Sequence, residues 1–173
     1  MHLVGSHPAW ITRHGESTWN AQGRMQRQVS HPPLTARGTV QAYAAGYALR
    51  GNHIDRVVTS DAVRAVQTAQ AIATILDAET VVDSRLRERN WLTTGQLASA
   101  PCSARPLEDP TERIRSVLSD IAALDSPTAV VTHGDIVCAI LDLLGARRSA
   151  GRDWATGTDV PNGAVIRVNL RRL

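Results

Sequence analysis

Residues 128–145 read TAVVTHGDIVCAILDLLG, and this stretch decides the predicted fold. Its first five residues are a short apolar and β-branched run, which predicts a buried strand over 128–132. A polar turn follows, and the apolar run 135–144 then ends at Gly145, which predicts a helix. A strand that passes through a tight turn into a helix is the repeating part of a parallel α/β sheet.

The same alternation of strand and helix recurs along the rest of the chain. Further strands are predicted over 9–12, 54–59, 80–82 and 164–169. Three further helices are predicted. The first follows the N-cap Thr35 and ends before Gly51, the second begins after a cap at Ser60 or Asp61, and the third covers 111–124. Residues 89–110 lack a clear period and hold three prolines, so we interpret them as irregular. These elements predict an α/β fold, a three-layer α/β/α sandwich with a mostly parallel central sheet, in a single domain over 1–173.

The basic residues of this 173-residue chain are unusual, because all 19 are arginine and lysine is absent. A GC-rich genome favours arginine codons, and this would explain most of them. A functional explanation is anion binding, since the guanidinium group forms a rigid bidentate fork that suits phosphate. The net charge of +3 is too small, and the arginines too scattered, to predict nucleic-acid binding.

The sequence predicts neither a cofactor nor a metal site. Cys102 and Cys138 lie far apart without a CxxC pair, so neither a disulfide framework nor a zinc site is indicated, and we expect Cys138 to lie in the core. No stretch approaches the roughly 18 to 20 apolar residues that span a bilayer, and the N-terminal residues do not resemble a signal peptide. We expect a cytoplasmic protein that does not bind membranes.

Three polar clusters follow three of the predicted strands. They are TRHGES at 12–17, SDAVR at 60–64 and THGD at 132–135. Because the carboxyl ends of parallel strands meet at one edge of the sheet, we expect the clusters to lie together there. The N–H groups at a helix N-terminus bind anions readily. The sequence therefore predicts an anion site at this edge.

These clusters resemble the motifs of the histidine phosphatase superfamily, also called phosphoglycerate-mutase-like. RHGESTWNAQGRMQ and the following PPLTARG resemble the N-terminal segment of that family. SDAVRAVQTA, the LRE at 86–88, VVTHGD and PNGAVIRV resemble later family segments, in the same order. The resemblance thus covers nearly the whole chain.

The resemblance implies a role for each matching residue. His14 would be the nucleophile that forms a phosphohistidine, and Glu88 would be the proton donor and acceptor. Arg13, Arg64 and His133 would surround the transferred phosphoryl group. Asn20, Gln26 and Gly134 would contribute to phosphate binding. Among the remaining arginines, Arg24, Arg27, Arg87 and Arg89 are candidates for the rim of the site. Without the family, Arg64 could instead be an ion-pair partner of Asp61 or Glu16, and Glu88 a solvated charge.

The segment after Glu88 departs from the family pattern. It reads RNWLTTGQ where a Gly-Trp-Glu-Gly stretch is frequent, and the tyrosine pair and lysine of the mutase branch are missing. Only 45 residue steps separate Glu88 from His133, which leaves a short cap of about 20 residues over 89–110. A short cap implies an open site, which favours hydrolysis over transfer between two positions of one substrate.

The leading hypothesis is a metal-independent phosphatase, a phosphoric monoester hydrolase of the short-cap branch. Its partner would be a phosphorylated small molecule or a phosphoprotein, with phosphate or another oxyanion in the pocket. The alternatives are a protein phosphohistidine phosphatase, a phosphoglycerate mutase-type phosphotransferase and a non-catalytic phosphate-binding module.

Overall fold

Five strands form one mixed sheet in the computed structural model, which describes residues 8–91, 107–124, 126–146 and 160–170. The strands are β1 (Pro8–Arg13), β2 (Arg56–Thr59), β3 (Glu79–Val82), β4 (Thr128–Thr132) and β5 (Val165–Asn169). Their order across the sheet is β3-β2-β4-β1-β5. The first four are parallel to one another, and β5 is antiparallel to β1 at the edge of the sheet. The predicted mostly parallel sheet is confirmed.

The helices cover both faces of this sheet. They are α1 (Thr18–Ala21), α2 (Ala36–Leu49), α3 (Val63–Leu76), α4 (Thr111–Ala123) and α5 (Gly134–Leu143), with a 3-10 turn at Ser84–Leu86. Strand β4 shows the division of the core, because Val130 packs with the apolar residues of α4 and α5, whereas Ala129 and Val131 pack with those of α2 and α3. Alternate side chains of a strand point to opposite faces. The predicted three-layer α/β/α sandwich is therefore confirmed.

The predicted elements are present, with ends that move by one or two residues at most sites. Strand 128–132 is found as predicted, and Thr35 caps α2, since its hydroxyl accepts a hydrogen bond from Gly38 N. Gly51 and Gly145 follow α2 and α5 with φ of 81° and 62°. Cys138 is buried in the core as expected. Cys102 and most of the irregular segment 89–110 lie outside the described residues, as do the first seven residues of the chain.

The predicted cap of α3 is wrong. The N-cap is Ala62, which has no side-chain cap hydrogen bond, and neither Ser60 nor Asp61 occupies that position. The Ser60 hydroxyl contacts the ring of His133 at 2.9 Å, and the Asp61 carboxylate accepts hydrogen bonds from Arg87. Both polar side chains are thus used by tertiary contacts.

None of the helices in the described part of the chain is long and apolar enough to cross a membrane.

Candidate active site

The sheet brings the three polar clusters together at the carboxyl ends of β1, β2 and β4, which lie side by side. Arg13 and Thr132 are partners in the β1–β4 register, so His14 and His133 occupy equivalent positions just beyond the two strands. Their ring centroids are 5.2 Å apart, close to the spacing of about 4.8 Å between paired strands. The separation of the two histidines thus follows from strand pairing.

A cavity of about 430 Å³ opens at this edge of the sheet. Seven of the eight predicted site residues line it, namely Arg13, His14, Asn20, Gln26, Glu88, His133 and Gly134. The eighth, Arg64, is fully buried and lines a neighbouring recess of about 180 Å³, which shares Glu88 and His133 with the cavity. The structure therefore brings all eight predicted residues together.

His14 is buried, and its ring is held in one tautomer. Nδ1 lies 2.7 Å from the carbonyl oxygen of Gly15. Because a carbonyl oxygen can only accept, Nδ1 carries the hydrogen. Burial, followed by the positive charges of Arg64 and Arg13, lowers the pKa of His14 well below its ordinary value. The ring is therefore neutral at pH 7, and the lone pair of Nε2 is available.

The loop before β5 anchors the backbone that carries the nucleophile candidate. Asn162 Nδ2 donates to the carbonyl of His14 at 3.0 Å, and Gly163 N donates to the carbonyl of Arg13 at 3.0 Å. The Arg13 guanidinium donates to the carbonyl of Val160. Residues about 148 positions apart in sequence are thus joined at the site.

Two glycines let the RHGES loop contact the first turn of α2. A Cβ placed on Gly38 would lie 2.0 Å from the carbonyl oxygen of Glu16, and one placed on Gly15 would lie 2.3 Å from the carbonyl oxygen of Gly38. Such distances exclude any side chain unless the backbone moves. The glycine in PPLTARG therefore has a structural role beside the loop that carries His14.

Arg64 connects the SDAVR cluster, which follows β2, to the THGD cluster, which follows β4. Its Nη2 lies 2.9 Å from Glu88 Oε2 and 3.3 Å from His133 Nδ1. Because a guanidinium can only donate, His133 Nδ1 accepts, and Nε2 carries the hydrogen that it donates to Ser60 Oγ. Burial and the neighbouring charge of Arg64 lower the pKa of His133 well below its ordinary value. The alternative partners of Arg64, Asp61 and Glu16, are bonded to Arg87 and Thr35 instead.

Glu88 is a largely buried carboxyl rather than a solvated charge. Its side chain is 17% exposed, and Arg64 is its nearest cation. Burial and the negative charge of Asp135 raise the pKa of Glu88 to about 7, although Arg64 and Arg27 act in the opposite direction. A carboxyl with this pKa can both donate and accept a proton near neutral pH.

The side chains of Asn20 and Gln26 are both connected to Ser17. Ser17 caps α1, and the Asn20 side chain completes the capping box by accepting from Ser17 N at 3.1 Å. The Ser17 hydroxyl donates to Gln26 Oε1 at 2.6 Å. These bonds fix two of the amide side chains that line the cavity.

Several residues of the site received no role in the site from the sequence. Asp135 and Asn162 line the cavity, and Ser60 holds the ring of His133. The sequence feature that could have identified them is their position in the motifs THGD, PNGA and SDAVR, which the resemblance to the family includes. Of the four arginines predicted at the rim, Arg24 and Arg27 line the cavity and Arg87 lines the neighbouring recess, whereas Arg89 donates to the carbonyl of Glu108.

Within the part of the chain that the structure describes, no three His, Cys, Asp or Glu side chains are grouped so that they could hold a metal ion.

Comparisons with known proteins identify the family of this chain. The family described as histidine phosphatase superfamily (branch 1) matches residues 9–105. A protein of Salmonella arizonae named probable phosphoglycerate mutase GpmB is 30% identical over 160 residues, which covers 79% of this chain and 74% of that protein. A mycobacterial glucosyl-3-phosphoglycerate phosphatase in complex with VO3 has a TM-score of 0.74 and 25% identity, covering 92% of this chain and 90% of that one.

A phosphoglycerate mutase from Bacillus anthracis str. Sterne has the same fold, with a TM-score of 0.73 at 20% identity and coverage of 92% and 86% of the two chains. The family match spans more than half of the chain and includes the RHGES, SDAVR and LRE motifs. The chain belongs to branch 1 of the histidine phosphatase superfamily.

Proposed function

We propose that this chain is a metal-independent phosphatase that hydrolyses phosphomonoesters through a phosphohistidine on His14. The observation that carries this proposal is the state of the His14 ring. Its Nδ1–H is occupied by the carbonyl of Gly15, and its lowered pKa leaves Nε2 unprotonated. A neutral imidazole with one lone pair directed away from its hydrogen-bond partner is suited to attack phosphorus.

The proposed reaction has two steps, which use Glu88 in opposite directions. In the first, His14 Nε2 forms a bond to phosphorus while the bond to the leaving oxygen breaks, and Glu88 gives its proton to that oxygen. In the second, Glu88 takes a proton from water as the water oxygen attacks phosphorus. The N–P bond then breaks, and inorganic phosphate and unmodified His14 result.

Positive charge around the phosphoryl group comes from the protein itself in this proposal. Arg13 and Arg64 are guanidinium groups, and α5 begins at Gly134 with the positive end of its dipole at the cavity. His133 lies beside His14 as a neutral ring, because its pKa is lowered. Asn20 and Gln26 supply further contacts. Fixed groups of this kind can contribute several kcal/mol of transition-state stabilisation. We therefore expect EDTA to leave turnover unchanged.

The proposed substrate is a phosphorylated small molecule or a phosphoprotein. The cavity extends to Arg24 and Met25, and the Met25 side chain is exposed. The short segment between Glu88 and α4 supports hydrolysis rather than a mutase reaction, since a mutase must keep its intermediate from water.

The phosphohistidine is the first testable consequence. Brief reaction with a ³²P-labelled aryl phosphate, followed by denaturation in alkali, should give an alkali-stable, acid-labile label on the wild-type chain. His14→Ala should carry no label and should lose turnover. His53→Asn changes an exposed histidine in the α2–β2 loop, so it should retain both. A His14→Ala variant with normal turnover would refute the proposal.

The role of Glu88 is tested by the dependence of rate on the leaving group. Glu88→Gln cannot protonate the leaving oxygen, so kcat/KM for alkyl phosphates should fall by about 10²–10⁴-fold. Aryl phosphates leave without protonation and should lose about tenfold or less in the phosphoryl-transfer step. Equal losses for both substrate classes would exclude Glu88 as the proton donor.

A phosphoglycerate mutase reaction is the second candidate, because the relative from Salmonella arizonae carries that name. Incubation of the chain with 3-phosphoglycerate should yield phosphate if the chain is a hydrolase and 2-phosphoglycerate if it is a mutase. Nuclear magnetic resonance of phosphorus distinguishes these products directly.

A further inference from the structure

Arg27 has a backbone conformation that is uncommon for a residue with a side chain. Its φ is 47°, in the left-handed region. Both parts of the residue are used in this conformation, since its carbonyl accepts from Arg64 at 2.9 Å while its guanidinium reaches into the cavity. The guanidinium also lies over the ring of Trp91, 5.1 Å from its centre. A strained position that serves several contacts is a reason to look for function.

The guanidinium of Arg27 lies between two carboxyl groups. Its Nη1 is 3.3 Å from Asp135 Oδ2 and 3.9 Å from Glu88 Oε1. All three side chains are at least four-fifths buried, with exposures of 11% for Arg27, 2% for Asp135 and 17% for Glu88. Charges in such surroundings are weakly screened and interact strongly. Arg27 is therefore a shared counterion, placed nearer to Asp135.

Asp135 is held by bonds that fix the direction of its carboxylate. Oδ1 accepts from Ile136 N at 2.8 Å, and Oδ2 accepts from Arg89 N at 3.2 Å besides its contact with Arg27. Burial raises the pKa of Asp135 to about 6, so at pH 7 it is mostly ionised and adds negative charge beside Glu88. The reaction steps above do not use this carboxylate.

The other charged and titratable groups around Glu88 come from four elements. They are Arg13 at the end of β1 and His14 just beyond it, Arg64 on α3, Arg113 on α4 and His133 before α5. Arg64 is the strongest of these contacts, at 2.9 Å. Changes confined to Arg27 and Asp135 leave all five in place, so the effect of the pair can be isolated.

We propose that Arg27 and Asp135 are positioning residues that control when the Glu88 carboxyl holds its proton, with Asp135 drawing the Arg27 guanidinium away from Glu88 and adding a second buried negative charge. This inference rests on the proposed function only in the use that Glu88 makes of its proton. The effect is electrostatic, so the two residues act on Glu88 in opposite directions. Removing Asp135 favours the ionised form of Glu88, and then removing Arg27 favours the protonated form again.

Direct titration of Glu88 tests this without reference to catalysis. The chain has only five glutamates, at positions 16, 79, 88, 108 and 112, so ¹³C-carboxyl labelling of glutamate gives a simple spectrum in which Glu88→Gln assigns the Glu88 resonance. Asp135→Asn should lower the pKa of Glu88 by about one unit. Adding Arg27→Gln to Asp135→Asn should move the pKa back up by a similar amount.

The pH profile should follow the titration. The basic limb of kcat/KM for an alkyl phosphate reports loss of the Glu88 proton in the unliganded enzyme. Asp135→Asn should move that limb to lower pH, and the double variant should move it back. Arg27→Lys retains the positive charge. In the Asp135→Asn background, it should therefore leave the basic limb at the lower pH, close to its position in Asp135→Asn alone, whereas Arg27→Gln should move the limb back up.

The exposed pair Arg56 and Glu79 at the opposite end of β2 provides matched controls, since its atoms are also 3.3 Å apart. Arg56→Gln and Glu79→Gln should leave the Glu88 resonance and the basic limb unmoved. Should Asp135→Asn not fold, Asp135→Ser removes the same charge and serves instead.

The outcomes separate this inference from the proposed function. If the Glu88 pKa does not fall in the Asp135 variant, or if Arg27→Gln does not raise it again, the inference is overturned even in an active phosphatase. If the Glu88 pKa moves as expected but His14→Ala retains turnover, the electrostatic inference stands and the proposed function fails.

Discussion

At the scale of single residues, Gly38 affects the site although it lies outside the cavity. Its α-carbon lies against the backbone of Glu16, two residues after His14, and a methyl group cannot fit there. The site therefore depends on a residue that contributes no functional group. Small displacements of a catalytic group can lower rates by large factors.

Gly38→Ala should displace the RHGES loop from the first turn of α2. We expect kcat/KM for an aryl phosphate to fall by about tenfold or more, and the free energy of unfolding to fall by about 1–3 kcal/mol. Steady-state kinetics and urea unfolding measure the two effects. Gly46→Ala is the control on the same helix, since the atoms nearest to its methyl would be in the Ile75 side chain and at the Ile72 α-carbon, at 3.1–3.2 Å. Equal loss of activity in both variants would contradict a specific role for Gly38.

The sequence predicts which residues line the cavity better than it predicts the hydrogen bonds and ion pairs that they form. His14, Arg64 and Glu88 stand in motifs whose order alone points to them. The roles proposed for Asp135 and Arg27 depend instead on a contact across 108 positions, which no local pattern encodes. The sequence predicts that Ser60 caps a helix, because a serine before a helix usually does so. In the structure its hydroxyl oxygen accepts a hydrogen bond from the ring of His133 instead.

At the scale of elements, strands and long helices follow from the sequence, whereas short elements do not. The β-branched run of β4 and the apolar spacing of α3 have patterns long enough to identify them. Helix α1 has only four residues and depends on the Ser17–Asn20 capping box, so periodicity cannot reveal it. The sequence therefore identifies the scaffold but not the turn that arranges Asn20 and Gln26.

The end of α3 provides a prediction about stability. Asp77 ends this helix at φ 55°, in the left-handed region, and its carboxylate lies at the negative end of the helix dipole. Asp77→Gly removes both costs and should raise the free energy of unfolding by about 1 kcal/mol. Asp77→Asn removes the charge and tolerates this conformation, so it should give a smaller gain. Asp77→Ala keeps the backbone cost; if it stabilises the chain as much as Asp77→Gly, backbone strain is not the cause.

At the scale of the whole molecule, the site places ionisable groups where folding disfavours their charge. Burial raises the pKa of Glu88 to about 7 and of Asp135 to about 6, and it lowers that of His14 and His133. A raised carboxyl pKa destabilises the native state as pH rises, whereas a lowered histidine pKa destabilises it as pH falls below about 6.5. As pH rises, the two carboxyl groups therefore lower the stability of the native state, whereas the two histidines raise it.

Comparison of Glu88→Gln with the wild-type chain isolates one of these groups, because the others are common to both proteins. The folded pKa of Glu88 lies above its unfolded value, so its favourable contribution is present below about pH 4.5 and is lost as pH rises towards 7. The free energy of unfolding of Glu88→Gln, relative to that of the wild type, should therefore increase as pH rises from about 4.5 to 7, by at most about 1.4 kcal/mol per pH unit.

Urea unfolding at several pH values measures this difference. Glu79→Gln changes an exposed glutamate and should differ from the wild type by an amount that varies little with pH. A difference between Glu88→Gln and the wild type that is flat from pH 4.5 to 7 would show that folding does not raise the pKa of Glu88.

The loop that anchors Arg13 and His14 from the other end of the chain also bears on synthesis. A ribosome makes His14 long before it makes Val160, Asn162 and Gly163, which follow about 148 residues later. A nascent chain that stops before Val160 already contains every residue proposed to act on phosphate, yet its RHGES loop lacks these anchors. The proposed nucleophile is therefore made early and held in place late, so reactivity towards phosphoesters should emerge only after residue 163 has been made.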